Sequence, residues 1–226
     1  MTFQTPVVIT EDIPSSCAQK VIDGKADVGL VPVAILPQLD QYEIVSNFCI
    51  GANGPVGSVL LLSDVSITRI ENILLDYQSR TSVMLARILA KELWKINPSW
   101  TDTSRDFEND IKGATAGVVI GDRALILKKN YRYVYDLSEE WKKLTGLPFV
   151  FACWVSRVNL HRDFIAEFNR ALSIGLQKIE NISRHHESLN ESEVAHYLEE
   201  CIDYKFDDEK KSAMELFFSF LGKISV

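Results

Sequence analysis

Short, uninterrupted apolar runs recur along this chain, and most lead into a stretch with helical spacing. ADVGLVPVAIL (26–36), SVLLLS (58–63), IENILLD (70–76), AGVVIG (116–121) and LPFVFACWVSR (147–157) are each too short to cross a bilayer. Runs of this kind read as strands, and a continuous one such as ADVGLVPVAIL as a buried parallel strand. PVVIT (6–10) reads as a further short strand, YEIVSNFCIG (42–51) as another and YRYVYD (131–136) as a third. SSCAQKVIDG (15–24) reads as a helix capped by Asp12 or Ser15 and closed by Gly24, so PVVIT, this helix and ADVGLVPVAIL make a βαβ unit. A helix is predicted from about Ser79 to Ile96, burying Val83, Ala86, Ile88, Leu89 and Leu93, with Pro98 beyond its end. Ser138 is predicted to cap a helix that ends at Gly146. Past about residue 155 only helices follow: HRDFIAEFNRALSIGLQKI, then SEVAHYLEECI with an Asn190–Glu193 capping box, then DDEKKSAMELFFSFLGKI with acids first and Lys223 last. The class is α/β with a helical C-terminal tail.

The chain has 226 residues, a net charge of −7 and 46% hydrophobic residues. That is a globular profile, and without a basic stripe it is a poor partner for nucleic acid. Cys17, Cys49, Cys153 and Cys201 are far apart and sit in or beside apolar segments, as reduced, buried thiols do. The pair His185–His186 lies in a polar patch and reads as solvated, so no metal site is expected. MTFQTPVVIT has neither a basic leader nor a long apolar stretch, which points to the cytoplasm.

Three motifs fall where ligands bind in an open α/β sheet. In DYQSRTSVMLARIL (76–89) an apolar strand meets a helix through Ser79, Arg80, Thr81 and Ser82. The first amides of a helix carry partial positive charge, and three hydroxyls and a guanidinium beside them could cradle a carboxylate. Ordinary helix capping accounts for the same residues. GPVGSVL brings Gly57 and Ser58, whose amides and hydroxyl could approach a ligand closely, or which simply form a turn. IGDRAL brings Gly121 and Asp122, the latter a rim carboxylate or a helix cap. FVFACW (149–154) reads as core. No nucleophile elbow, phosphate loop or dinucleotide fingerprint is present.

Taken in order, GKADVGLVPVAIL, CIGANGPVGSVLLLS, DYQSRTSVMLARIL, VIGDRAL, YDLSEEWKKLTGLPFVFACWVSR and YLEECIDYKFDDEKKSAMELFFSFL resemble the chorismate dehydratase family of the futalosine route to menaquinone. The resemblance implies a two-lobed fold like type II periplasmic binding proteins, with a hinged ligand cleft. Lobe I would comprise residues 1–62 and 155–226, and lobe II residues 63–154. It implies a lyase that removes water from chorismate, a dicarboxylate, giving 3-[(1-carboxyvinyl)oxy]benzoate without metal or redox cofactor. Gly57, Ser58, Ser79, Arg80, Thr81, Ser82, Gly121 and Asp122 would bind it. Members of that family open with a strand and a Ser-Tyr-Leu-Asn-like motif whose asparagine is implicated in catalysis. This chain has no such motif, PVVIT resembles the family's second strand, and no residue inherits that asparagine's role. About a strand and a helix are therefore expected to be missing.

The sequence names no catalytic base and leaves a homodimer open. A non-catalytic module binding small carboxylates on the same fold is the alternative. A sibling enzyme cleaving a cyclised futalosine derivative would need a placed histidine, and none precedes His161.

Overall fold

A computed structural model describes residues 5–179 and 189–224. The strands form two sheets. In the first, β1 (Val28–Pro32), β2 (Glu43–Ala52), β8 (Phe149–Ser156) and β9 (Asp203–Lys205) lie in the order β1-β8-β2-β9, all antiparallel. In the second, β3 (Val59–Ser63), β4 (Asn72–Leu75), β5 (Ser99–Asp102), β6 (Thr115–Ile120) and β7 (Tyr133–Asp136) lie in the order β5-β4-β6-β3-β7. There β4 runs parallel to β5 and β6, while β3 is antiparallel to β6 and β7. The chain therefore changes sheet between Ala52 and Val59, and returns between Asp136 and Phe149. Both passages precede the divisions drawn from sequence, because the apolar runs SVLLLS and FVFACWVS are each paired as one strand within a single sheet.

Among the described residues the helices are α1 (Pro14–Ile22), α2 (Thr81–Leu89), α3 (Asp122–Leu127), α4 (Leu137–Thr145), α5 (Arg162–Leu176), α6 (Glu191–His196) and α7 (Asp208–Leu221). Several local expectations need correction. PVVIT forms no strand: no segment among the described residues pairs with it, and Val8 and Ile9 are 93% and 81% exposed. The parallel βαβ unit is consequently absent. β1 pairs antiparallel with β8, and the apolar run leaves the sheet as a 3₁₀ turn at Val33–Gln38. Neither Asp12 nor Ser15 caps α1; Pro14 starts it with no side-chain cap, and Asp12 instead pairs with Lys20 at 2.6 Å. α2 stops at Leu89, passes into a π turn at Ala90–Trp94 and ends at Lys95 in the left-handed region (φ 54°). Asp136, not Ser138, caps α4, because its carboxylate accepts from the amides of Ser138 and Glu139. The Asn190–Glu193 capping box is present, and Asp208 and Glu209 occupy the first turn of α7. His185 and His186 lie outside the described residues.

One apolar core runs through both sheets. Val31, Leu36 and Cys49 belong to it together with Leu61, Ile73, Leu85, Ile88, Trp141 and Phe217. Trp141 of α4 meets Phe149 edge-on at 5.3 Å and Phe217 of α7 at 6.1 Å, and its indole N–H donates to Pro148 O at 3.0 Å. Such ring pairs add about 0.5–1.5 kcal/mol each beyond the area they bury. They fix the tail against the return passage, and so fix the seam at which the site lies.

All four cysteines are free thiols. Cys49 and Cys153 face each other across β2 and β8, and burial pushes both thiols from 9.0 up to about 12. Each folded-state value lies above the unfolded one, so the stabilisation is complete below pH 9.0 and is lost as pH rises toward about 12. The slope is about 1.4 kcal/mol per pH unit per thiol. Denaturant midpoints across this range should fall steeply for the parent and about half as steeply, in this contribution, for Cys153→Ala. Equal slopes would refute the assignment.

Candidate functional site

The site is built where β4 ends. Asp76, 1% exposed, takes the amides of Gln78 and Ile120, each at 3.0 Å, and both oxygens face Arg123 Nη2 at 2.9 and 2.7 Å. Arg123 also pairs with Glu108. This network joins the β4 and β6 ends to α3 and folds the chain so that Ser79 N donates to Asp76 O at 3.1 Å. α2 starts two residues later. Its first residue, Thr81, is committed to structure: its hydroxyl accepts from Ala34 N at 3.2 Å and donates to Phe151 O at 3.0 Å. That pins the helix start of the second sheet to the backbone of the first.

A cavity of about 1180 Å³ opens along this seam. Its wall is mainly apolar, with Val56, Ile120, Phe151, Trp154, Phe164 and Phe168 among its residues. Ser58, Ser79, Thr81, Ser82 and Gly121 also line it, so the structure brings five of the sequence-derived residues to one surface. Their chemistry differs. Ser79 Oγ accepts from Ser82 N at 3.0 Å, which is capping and removes one amide from ligand binding. Gly121, at φ 67°, turns the chain into α3 and donates its amide to Ser58 O at 2.8 Å. Ser82 is different: it is 3% exposed, and its hydroxyl makes no hydrogen bond among the described residues. A hydroxyl on a cavity wall without a partner among those residues is open to a ligand.

Gly57, Arg80 and Asp122 are not on the wall. The Gly57 amide is taken by Asp136 at 2.6 Å. A Cβ on Gly57 would have Leu125 and Lys128 no nearer than 3.8 Å, so its φ of 75°, not crowding of the cleft, is what requires glycine. Arg80 donates to Gln19 at 3.3 Å on the surface. Asp122 is exposed in the first turn of α3, where Gly121 occupies the cap position. Burial pushes the Asp136 carboxyl up, against the amides of Gly57, Glu139, Val56 and Ser138 that pull it down.

Sequence reasoning missed Tyr197, whose phenol oxygen accepts from Ser58 Oγ at 2.9 Å on the same wall. It also placed Trp154 in the core, whereas that ring is partly exposed on the wall, edge-on to Phe168 at 5.0 Å. Phe164, Phe168 and Leu172 on α5 follow helical spacing, a signal that marks an apolar face without saying whether protein or ligand covers it. Among the described residues no group of three or more His, Cys, Asp or Glu side chains is arranged to hold a metal, and no helix is long and apolar enough to cross a membrane.

Comparison with known proteins places these observations in a family. Residues 1–223 match one described as menaquinone biosynthesis. A chorismate dehydratase of Campylobacter jejuni is 33% identical over 105 residues, which is 44% of this chain and 46% of that protein. One from Thermus thermophilus is 29% identical over 167 residues, 64% of this chain and 59% of that protein. The chain thus spans about half the length of these curated relatives. A solved protein of Archaeoglobus fulgidus superposes with a TM-score of 0.72 at 16% identity, covering 95% of this chain and 85% of that one. An ABC transporter protein of Parabacteroides distasonis superposes with a TM-score of 0.61 at 12% identity, covering 95% and 81%. The fold is that of the periplasmic-binding-protein-like proteins, as expected from sequence.

Proposed function

Because the chain belongs to the menaquinone-biosynthesis family, we propose that it dehydrates chorismate, the reaction named for its Campylobacter and Thermus relatives. In this reading it is a lyase of the futalosine route, acting in the cytoplasm, and the two sheets with their helices are lobes that close on the substrate. Chorismate loses the ring proton from the carbon bearing the enolpyruvyl ether and hydroxide from the neighbouring carbon. The ring becomes aromatic, 3-[(1-carboxyvinyl)oxy]benzoate forms and water leaves. Aromatisation drives the step, so the protein's tasks are to hold the substrate and to stabilise negative charge passing to the ring carboxylate.

The observation that carries the reading is the Ser82 hydroxyl at the start of α2, which has no partner among the described residues and stands on the wall of a mainly apolar cavity. A carboxylate seated there gains a neutral donor and the positive end of the helix dipole. Thr81 and Ser79 shape the seat, and Ser58 and Gly121 border it. Arg80 would supply charge only after leaving Gln19. Among the described wall residues, Glu11, Asp27 and His161 are exposed, and the half-buried Asp12 carboxylate is taken by Lys20 at 2.6 Å. The absence of an unpaired, enclosed base among these residues favours the substrate's own side-chain carboxylate as the acceptor of the ring proton.

The same absence suits the second reading, a binding module for small carboxylates without turnover. Incubation with chorismate separates the two. The dehydratase reading expects an aromatic acid lighter than chorismate by one water, seen by mass and ultraviolet absorbance. Chorismate bound but recovered intact would establish the binding module instead.

A further inference from the structure

We infer that Tyr197 is a further substrate-contacting residue: its phenol, held by Ser58, donates a hydrogen bond to a carboxylate of the ligand in the seam cavity. The inference rests on the proposed carboxylate ligand, and adds to it a residue from the C-terminal tail.

Tyr197 opens a π turn, Tyr197–Cys201, that continues α6. Inserting one residue per turn re-aims the side chains around it, and such turns concentrate at functional positions. Here the turn delivers Tyr197 from the tail to Ser58, on the passage between the two sheets, and both residues line the cavity. Ser58 is 3% exposed and its hydroxyl proton goes to the phenol oxygen at 2.9 Å. Its backbone is held independently, with Gly121 N donating to Ser58 O at 2.8 Å. A phenol has one proton to give. With Ser58 donating to its oxygen, the Tyr197 O–H has no acceptor among the described residues. Burial raises the phenol's titration point above 10.0, offset in part by Ser58 and reinforced by the charge of Asp122. Tyr197 is therefore a neutral donor at physiological pH, as required to approach an anion without bringing a charge of its own.

A phenol kept only to pack its ring would work equally well as phenylalanine, and that is the test. Tyr197→Phe, Ser58→Ala and the double variant are compared with the parent by calorimetric titration of chorismate, benzoate and benzamide, with thermal melts of each. The expected result is a loss of about tenfold in affinity for chorismate and benzoate in Tyr197→Phe, the loss typical of one hydrogen bond to a charged group. Benzamide, which lacks the anion, should change less than about twofold on the same reasoning. Ser58→Ala should show a smaller loss, and the double variant no more than Tyr197→Phe alone, because Ser58 acts through the phenol. Unchanged affinities in Tyr197→Phe, or equal losses for benzoate and benzamide, overturn the inference. If the parent binds benzoate in a Tyr197-dependent way but leaves chorismate intact, the dehydratase reading fails while this one stands. A parent that binds none of the three overturns both.

Discussion

On the proposed dehydratase reading, replacing Ser82 by alanine is expected to lower kcat/KM for chorismate by about 100- to 1,000-fold, the loss seen when one preorganised donor to a developing oxyanion is removed, and to leave the unfolding midpoint where it was. The two halves of this result belong together. Ser82 is 3% exposed, yet its hydroxyl bonds to nothing among the described residues. Removing it takes no hydrogen bond from the described residues and strands no partner among them, so stability is expected to hold. The neighbouring hydroxyl behaves in the opposite way. Thr81 bridges Ala34 N and Phe151 O, and Thr81→Val strands both buried groups, at a cost of about 1–3 kcal/mol for each. Steady-state kinetics and urea titrations of the two variants therefore separate ligand binding from seam integrity, one residue apart. Wild-type kinetics in Ser82→Ala would leave the start of α2 as an ordinary capped helix.

Asp76→Ala should cost about 3–5 kcal/mol of folding stability, the range for breaking a buried ion pair by deleting one partner. Asp76 is 1% exposed, and Arg123 reaches it with both carboxylate oxygens in range. Deleting the carboxylate strands the Gln78 and Ile120 amides as well, and leaves Arg123 with Glu108 as its remaining acid. The damage lies where β4 and β6 end, so the Ser79 turn and the Gly121 corner should loosen together. Asp76→Asn keeps an acceptor for one amide and should lose less. Chemical denaturation checks both variants, and a loss under about 1 kcal/mol for Asp76→Ala, the level of a surface pair, would refute the network as the support of the site.

The legible parts of this protein are those in which local chemistry and tertiary packing agree. SVLLLS, IENILLD, AGVVIG and LPFVFACWVSR read as strands, and strands form there. Asn190 with Glu193 wrote its own helix start. PVVIT forms no strand because a strand is a relation between segments: its β propensity is real, but no described segment pairs with it. ADVGLVPVAIL was read as parallel because burial on both faces looks the same in sequence whichever way the partner runs. In the candidate site, sequence marked the motif but not the division of labour within it. Four adjacent polar residues, Ser79 to Ser82, turn out as a cap, a surface contact, a seam bridge and an unpartnered donor. Only partners distant in sequence distinguish them. Tyr197 was invisible for the same reason: its role follows from a π turn and from a serine 139 residues away.

A crystal structure of the protein with 3-[(1-carboxyvinyl)oxy]benzoate bound would show whether Ser82 holds the ligand. A ligand carboxylate is expected within hydrogen-bond distance of Ser82 Oγ, at the first turn of α2, with the ring against the apolar wall. A ligand seated elsewhere, with Ser82 facing only solvent or protein, would contradict that expectation.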